Sequence, residues 1–236
     1  LPSVPSSSVQ LAAGTPLRDY LGITTRGERI LEFVRFDSDV PIALGTAQGT
    51  VKRIVPSTLP VRPDLEVIGM KPGDTVVGAV PAPDDADLVF VTTDAQLLRF
   101  SASAVRPQGA PAGGMAGMKL GAGAAVLFFG AVSPEAEAVV ATVSGSDSSL
   151  PGTEPGRAKV SFFTEYPSKG RATGGVRAHS FLKGEDRLTV AWVGPSPAQA
   201  VDPTGAVRKL PEPGARRDAS GQPIDGVIGS IGRTLV

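Results

Sequence analysis

Few side chains in this sequence could carry chemistry. The chain contains one histidine and no cysteine, which excludes disulfides, thiolate metal sites and cysteine nucleophiles. The histidine, His179, is followed directly by Ser180. Neighbours in a strand point to opposite faces, so this pair does not favour a serine activated by a histidine base. We predict that His179 lies in a groove or a loop and that the chain holds no catalytic residue.

The sequence offers equally little for metal or phosphate binding. The acidic pairs at residues 84–85 and 185–186 lack the loop spacing of a calcium site. The glycine-rich run at residues 113–122 lacks the Gly-Lys-Ser/Thr ending of a P-loop. It is more typical of a tight loop between strands. We predict no metal site and no cofactor.

Basic residues, in contrast, recur at a regular position. Residues 42–54, IALGTAQGTVKRI, predict a strand, a turn and a second strand, and residues 88–100 and 200–210 repeat this pattern. The second strands end in Lys52, Arg53, Arg99, Arg208 and Lys209. The following loops add Arg106, Lys169, Arg171 and Arg177. A basic rim of this kind could neutralise the phosphates of a curved duplex; ordinary solvated charges on strand ends are the alternative interpretation.

Short strands must position these basic residues. Between the copies lies a second recurring piece, at residues 67–80, 114–132 and 175–193, which predicts an apolar strand, a glycine-containing turn and another strand. One unit is then four strands in roughly 46–55 residues, which is typical of β-blades arranged around an axis. Residues 29–36, RILEFVRF, also alternate like a strand. They could join the C-terminal end to close the ring and remove free sheet edges, so we predict an all-β disc of about five four-stranded blades.

Composition agrees with a turn-rich β domain, because the chain has 29 glycines and 22 prolines. Its 23 basic and 23 acidic residues cancel, so a nucleic-acid binder would have to separate its charges in space. No apolar run approaches the ~18 residues of a membrane span, and no signal peptide is visible, so we expect a cytoplasmic protein. We predict a linker at residues 1–14, where proline and serine are frequent, and one domain at residues 15–236. The first residue is leucine, which suggests an excised piece of a longer chain.

The motifs GTAQGTVKRI, TTDAQLLRF and KGRATGGVRAHSFLKGED resemble the C-terminal domain of the A subunit of bacterial type IIA topoisomerases. This family comprises DNA gyrase and topoisomerase IV, and the resemblance is to members from GC-rich, actinobacterial-like sources. It implies a β-pinwheel, in which neighbouring blades exchange strands, with a basic rim that binds and bends double-stranded DNA. It also implies an accessory domain of an ATP-hydrolysing isomerase, with no activity of its own. Tyr20 and Tyr166 do not match the catalytic tyrosine motif of the family.

One departure from the family pattern bears on function. The A subunits of gyrases carry a box of the type Gln-Arg-Arg-Gly-Gly-Lys-Gly in the first blade. This sequence has no such box, and the segments most similar to it are at residues 106–117 and 166–179. This favours a topoisomerase IV-like domain that steers duplex DNA without sequence specificity over one that wraps it fully. The implied partners are DNA, the ATPase B subunit of the parent enzyme and the rest of its A subunit, with a monomeric domain near the nucleoid. A protein-interaction propeller that does not bind DNA is the competing hypothesis.

Overall fold

The computed structural model describes residues 16–25, 27–62, 64–147 and 156–233. Contacts within the chain define two compact units, Leu1–Leu31 and Glu32–Val236. Among its described residues, the first unit contains one helical turn, α1 (Leu17–Tyr20), which begins after Pro16. None of the helices in these described ranges is long and apolar enough to cross a bilayer. The predicted linker at residues 1–14 lies outside the described residues, and the single domain at residues 15–236 stays a prediction.

Where it is described, the second unit is built from short strands joined by turns and by three 3-10 helices, at Pro56–Thr58, Ala102–Ala104 and Phe163–Glu165. Within the described residues the strands are, in chain order, β1 (Ile42–Thr46), β2 (Thr50–Ile54), β3 (Val76–Pro81), β4 (Asp87–Thr92), β5 (Gln96–Ser101), β6 (Met115–Ala116), β7 (Val126–Val132), β8 (Ala138–Gly145), β9 (Arg157–Phe162), β10 (Val176–Arg177), β11 (Arg187–Pro195), β12 (Ala198–Val201), β13 (Val207–Arg208), β14 (Gln222–Pro223) and β15 (Ser230–Arg233).

These strands form four antiparallel sheets, each centred on a hairpin. The first three have four strands, in the orders β3-β1-β2-β6, β7-β4-β5-β10 and β11-β8-β9-β14. The fourth has three strands in the described part of the chain, in the order β15-β12-β13. In each four-stranded sheet one edge strand, which is β6, β10 or β14, belongs to a later part of the chain than the other three strands. This exchange of strands between neighbours confirms the predicted all-β pinwheel, a propeller-like arrangement of blades.

The number of blades differs from the prediction, because the described residues form four sheets rather than about five. Residues 29–36, which the structure describes in full, form no strand. Phe33 and Phe36 are exposed there. The alternation of this segment is broken by three charged side chains, so neither face of a strand would be apolar throughout. An extended segment without an apolar face has little to gain from packing onto a sheet.

The core lies between successive sheets rather than on one face of each. The four consecutive residues from Leu88 to Val91 are all fully buried. Leu88 and Phe90 pack toward the first sheet, whereas Val89 and Val91 pack toward the third. Because the second sheet has a neighbour on both sides, β4 is a continuous apolar run instead of an alternating one.

Strand exchange requires a close approach of two backbones, which glycine permits. Gly114 and Gly175 immediately precede β6 and β10 and have φ values of +80° and +76°. A Cβ atom on Gly114 would lie 2.6 Å from the carbonyl oxygen of Val51, and one on Gly175 would lie 2.4 Å from that of Leu97. Both positions therefore need glycine for the left-handed backbone and for the space.

Candidate nucleic-acid interface

Three loops occupy equivalent positions, one before each exchanged strand. We call residues 105–114, 166–175 and 211–221 the first, second and third exchange loops. Each loop is joined to the second strand of the preceding sheet by a backbone hydrogen bond. These bonds run from Gln108 N to Arg53 O at 2.9 Å, from Lys169 N to Arg99 O at 3.0 Å and from Ala215 N to Val160 O at 3.2 Å.

Successive exchange loops are also hydrogen-bonded through the residues that follow the exchanged strands. The amide of Lys119, beyond β6, donates to the carbonyl oxygen of Thr173 in the second loop at 3.1 Å. The amide of Ser180, beyond β10, donates to the carbonyl oxygen of Ala219 in the third loop at 3.1 Å. The second and third loops and the exchanged strands beside them therefore form one continuous surface.

Basic side chains concentrate on that surface. We call them the basic strip, and its members are Lys119, Lys169, Arg171, Arg177, Arg216 and Arg217, each exposed or partly exposed. Their hydrogen bonds to protein are mostly to carbonyl oxygens: Lys169 Nζ donates to Gly175 O at 3.3 Å, and Arg171 Nη1 donates to Ala116 O. Such bonds orient the cation without neutralising it. The strip therefore keeps most of its positive charge available to an anionic partner.

Sequence reasoning found half of this strip. It predicted Lys169, Arg171 and Arg177, and the structure brings these three together. It missed Lys119, Arg216 and Arg217. The doublet Arg216–Arg217 stands in a glycine- and proline-rich segment, as the predicted basic loops do, but its equivalence to them depends on the pairing of β14 with β9.

Arg53 does not lie on this surface, and its prediction as part of an exposed rim was wrong. Its side chain is 1% exposed. The guanidinium donates to the carbonyl oxygens of Ala82 and Ala102, each at 2.9 Å, and forms an ion pair with Asp84 at 2.6 Å. These partners belong to the chain that follows the first sheet. Arg53 therefore links one unit to the next.

Lys52 is also buried, and its prediction as part of an exposed rim was wrong for the same reason. Its ammonium lies within hydrogen-bond distance of four carbonyl oxygens, those of Val67, Gly109 and Ala110 at 2.7 Å and of Ala112 at 2.8 Å. Burial lowers the pKa of Lys52. Three of the four carbonyl groups belong to the first exchange loop, so this buried cation holds that loop in place.

Arg99 repeats the role of Arg53 in a more open setting. Its guanidinium forms an ion pair with Asp87 at 3.0 Å and lies 4.4 Å above the centroid of the Phe163 ring. It also lies 3.4 Å from the carbonyl oxygen of Phe163, the first residue of the next 3-10 helix. Ala102, the partner of Arg53, is the first residue of the equivalent helix. The recurring arginine of the sequence is thus a link between units.

The remaining predicted residues lie apart from the basic strip. Arg106 is exposed in the first exchange loop. Arg208 is partly exposed and forms an ion pair with Asp202 at 2.6 Å, and Lys209 is exposed just beyond β13. Four hydrogen-bond donors hold Asp202 as a carboxylate, with Thr204 contributing most, so its pKa lies far below the usual range.

His179 lies outside the strands, in the irregular segment between β10 and β11, which agrees with the predicted loop position, and its side chain is buried. Its Nδ1 lies 2.9 Å from the hydroxyl of Thr142, and its Nε2 accepts a hydrogen bond from the amide of Gly221 at 3.1 Å. An accepting Nε2 requires the neutral ring with its proton on Nδ1. Burial, with the nearby charges of Lys159 and Arg157, lowers the pKa of His179 to about 4. The imidazole thus anchors the third exchange loop at Gly221.

The described residues contain no group of three or more acidic or histidine side chains placed to hold a metal ion. The basic strip is therefore the feature of the described surface with the clearest chemical preference, and that preference is for polyanions.

Comparison with known proteins identifies related sequences and a related structure. Residues 86–133 and 153–191 match the family model described as DNA gyrase C-terminal domain, beta-propeller. The chain is 33% identical over 156 residues to the A subunit of DNA gyrase from Mycobacterium leprae, covering 63% of this chain and 11% of that protein. It is 27% identical over 169 residues to the A subunit of DNA gyrase from Escherichia coli K12, covering 70% of this chain and 18% of that protein. The chain thus spans less than a fifth of the length of these relatives.

A solved structure shares the fold. It is described as the C-terminal domain of DNA topoisomerase IV and superposes with a TM-score of 0.76 at 19% sequence identity. The match covers 93% of this chain and 70% of that one. At 19% sequence identity the match supports a shared fold alone.

Proposed function

This chain belongs to the family of C-terminal domains found in the A subunits of bacterial type IIA topoisomerases, and we propose that it binds duplex DNA along the basic strip. The observation that carries the proposal is the hydrogen-bonded row of exchange loops, which places six exposed or partly exposed cations on one continuous surface. A row of separated cations matches the repeating phosphates of a duplex. Lysine and arginine contacts to phosphates position DNA without reading bases, so binding is not sequence-specific.

The zero formal charge of the chain sets the strength of this interaction. Because acidic residues elsewhere offset the positive charge at long range, DNA is attracted by the local positive field of the strip. We therefore expect modest affinity that falls steeply as salt rises. The absence of a gyrase-type basic box from the sequence agrees with a domain that bends and steers DNA rather than one that wraps it fully.

In the larger protein, this domain would present duplex DNA to the catalytic core of the A subunit for an ATP-dependent change of DNA topology. The core and the ATPase B subunit would be its protein partners, and the isolated domain would be a monomer without a cofactor or activity of its own. DNA as the ligand places the protein in the cytoplasm, at the nucleoid. A protein-interaction propeller is the alternative, and DNA binding separates the two.

Salt-dependent binding tests the proposal. We would measure fluorescence anisotropy of a labelled random duplex of about 40 base pairs at several salt concentrations, since each phosphate contact contributes about 0.9 to the log–log slope. The double variant Arg171→Ala/Arg177→Ala should bind more weakly and lower the slope by about two. The matched control, Arg62→Ala/Lys71→Ala, removes two exposed cations outside the strip and should bind as the parent does. Absence of binding by the parent chain at low salt would favour the protein-interaction alternative.

A further inference from the structure

We infer that His179 is a positioning residue for DNA binding, whose neutral imidazole holds the third exchange loop in place and whose protonation in mild acid releases that loop. This inference rests on the proposed function and adds to it a dependence on pH. It concerns a buried side chain rather than a cation of the surface.

The imidazole holds the end of the loop through the acceptor on its Nε2. Gly221, the last residue of the third exchange loop, donates its amide hydrogen to Nε2 at 3.1 Å, and the Thr142 hydroxyl lies 2.9 Å from Nδ1. A protonated ring carries hydrogens on both nitrogens and has no acceptor left. The Gly221 amide would then face an N–H group, so protonation breaks this bond and leaves buried donors without an acceptor.

The surroundings of the ring also favour its neutral form. The charged residues around His179 and its neighbour Lys159 come from β9, from the third exchange loop and from the segment before β11, and they are Arg157, Lys159, Arg217, Asp218 and Glu185. Strand β8 contributes the uncharged hydroxyl of Thr142, and the Phe181 ring stacks on the imidazole with the centroids 6.0 Å apart. Burial, followed by the charges of Lys159 and Arg157, lowers the pKa of His179 to about 4. A second positive charge is therefore costly as long as the loop covers the ring.

The loop that the imidazole holds carries two arginines of the basic strip. The buried ammonium of Lys159 donates to the carbonyl oxygens of Ala178 at 2.5 Å, of Arg216 at 3.2 Å and of Arg217. Arg217 Nη1 donates in turn to the carbonyl oxygen of Arg177 at 3.2 Å. These bonds place the arginines while the loop stays on the third sheet. Because a pre-ordered loop loses less entropy when it engages phosphates, its release should weaken DNA binding.

The response to acid should be confined to this loop. His179 is the one histidine of the chain. At the equivalent place beyond β6 stands Met118, which is buried and has no ionisable group. The next residues, Ser180 and Lys119, donate their amide hydrogens to the third and second exchange loops in equivalent bonds of 3.1 Å. Mild acid should therefore loosen the third loop and leave the second loop in place.

Amide hydrogen exchange tests the inference. With a pKa of about 4 in the closed loop and about 6.5 in an open one, the open fraction of the loop should rise about twentyfold from pH 7 to pH 5. The protection factor of the Gly221 amide should fall by that factor, whereas that of the Lys119 amide should stay constant. In His179→Gln the carboxamide can accept from Gly221 and donate to Thr142 but cannot be protonated, so Gly221 protection should change less than about twofold. Equal losses in both proteins would overturn the role of His179.

The link to DNA is tested by adding the duplex of about 40 base pairs at pH 5. Bound DNA should raise Gly221 protection in the parent chain, because it favours the closed loop. By reciprocity, the affinity of the parent should fall more between pH 7 and pH 5 than that of His179→Gln. Unchanged protection with DNA bound would overturn the coupling but leave the proposed function intact. No binding by the parent at pH 7 would overturn both.

A measurement on the parent chain covers the case in which His179→Gln does not fold. The ring hydrogens of the one histidine can be followed by NMR as the pH is lowered, without any substitution. We expect a pKa near 4 in the folded chain. A pKa near the ordinary value of about 6.5 would show that the closed loop tolerates the protonated ring, and would overturn the inference.

Discussion

Three residues at equivalent strand positions differ in how deeply their side chains are buried. Val51, Leu97 and Val207 occupy the same register in β2, β5 and β13. Val51 and Leu97 pair with the exchanged strands β6 and β10 and are buried in the clusters between successive sheets, whereas Val207 is 66% exposed. Val207 therefore lies outside the core although it shares this register. Within the described residues β13 has no exchanged strand beside it, and the Val207 side chain is not part of the buried core.

This contrast predicts a matched pair of mutational effects. Leu97→Ala should lower the free energy of unfolding by about 2–5 kcal/mol, because it leaves a cavity in a fully packed core. Val207→Ala should change it by no more than about 0.5 kcal/mol, because the side chain is mostly in solvent. Urea unfolding of both variants at neutral pH would measure the difference. Similar costs at the two positions would contradict the assigned burial.

The buried imidazole of His179 predicts acid sensitivity. Its pKa is about 4 in the folded chain and about 6.5 in an unfolded one. Between these values the unfolded chain binds the extra proton, so stability falls as the pH drops from 6.5 toward 4. The loss from pH 7 to pH 4.5 should be about 2 kcal/mol greater in the parent than in His179→Gln, which cannot titrate. Parallel stability curves for the two proteins would show that His179 does not contribute.

At the level of elements, the exchange loops owe their geometry to contacts at both ends. The buried ammonium groups of Lys52 and Lys159 donate hydrogen bonds to backbone carbonyl groups of the first and third loops. The equivalent position in β5 is occupied by Leu98, which is buried and apolar. The second loop depends instead on Gly175, which allows its backbone to meet β5. Loops that are held in this way present cations at fixed positions although they contain little regular structure.

Gly175→Ala should therefore disturb the second exchange loop. A methyl group there meets the backbone of Leu97, and the φ value of +76° adds strain, so the free energy of unfolding should fall by about 2 kcal/mol or more. Gly170→Ala is the matched control in the same loop, since nothing lies within 4 Å of its Cβ position and its φ is not positive. Thermal unfolding and DNA binding of both variants would check this prediction. Equal behaviour of the two would refute the requirement for glycine at residue 175.

Across the whole second unit, strand exchange makes each sheet depend on the chain that follows it. The third sheet receives β14. Lys159 of its strand β9 and His179, which lies between β10 and β11, are both hydrogen-bonded to the third exchange loop. The first sheet receives β6 and the second receives β10 in the same way. Stability is therefore shared between neighbours, whereas an isolated sheet of this size would be marginal.

A chain that ends at Leu210 should reveal this dependence. It lacks β14, β15 and the third exchange loop, so the buried ammonium of Lys159 loses two of its three carbonyl partners. Hydrogen exchange should then show loss of protection in β8 and β9, with protection retained in β1 and β2, whose partners remain. Unchanged protection of β9 amides would contradict the dependence of the third sheet on its exchanged strand.

The repeating unit could be predicted from the sequence. Period, apolar runs and glycine turns are local properties, so the hairpins were predictable from the residues, whereas the exchange of strands was implied only by the family resemblance. The basic loop at residues 166–179 was also predictable, because its lysine, arginines and glycines are contiguous. The DNA-binding roles of its residues stay a proposal.

Which basic residues face solvent, in contrast, depends on tertiary packing. Lys52 and Arg53 look like exposed strand-end cations in the sequence, yet the ammonium of Lys52 is held by the carbonyl oxygen of Gly109, 57 residues further along. A long cationic side chain can be buried only if backbone carbonyl groups from distant parts of the chain lie close enough to accept its hydrogen bonds. Arg216 and Arg217 show the converse, since pairing between β9 and β14 brings them beside Arg177. Local spacing carries no information about such convergence.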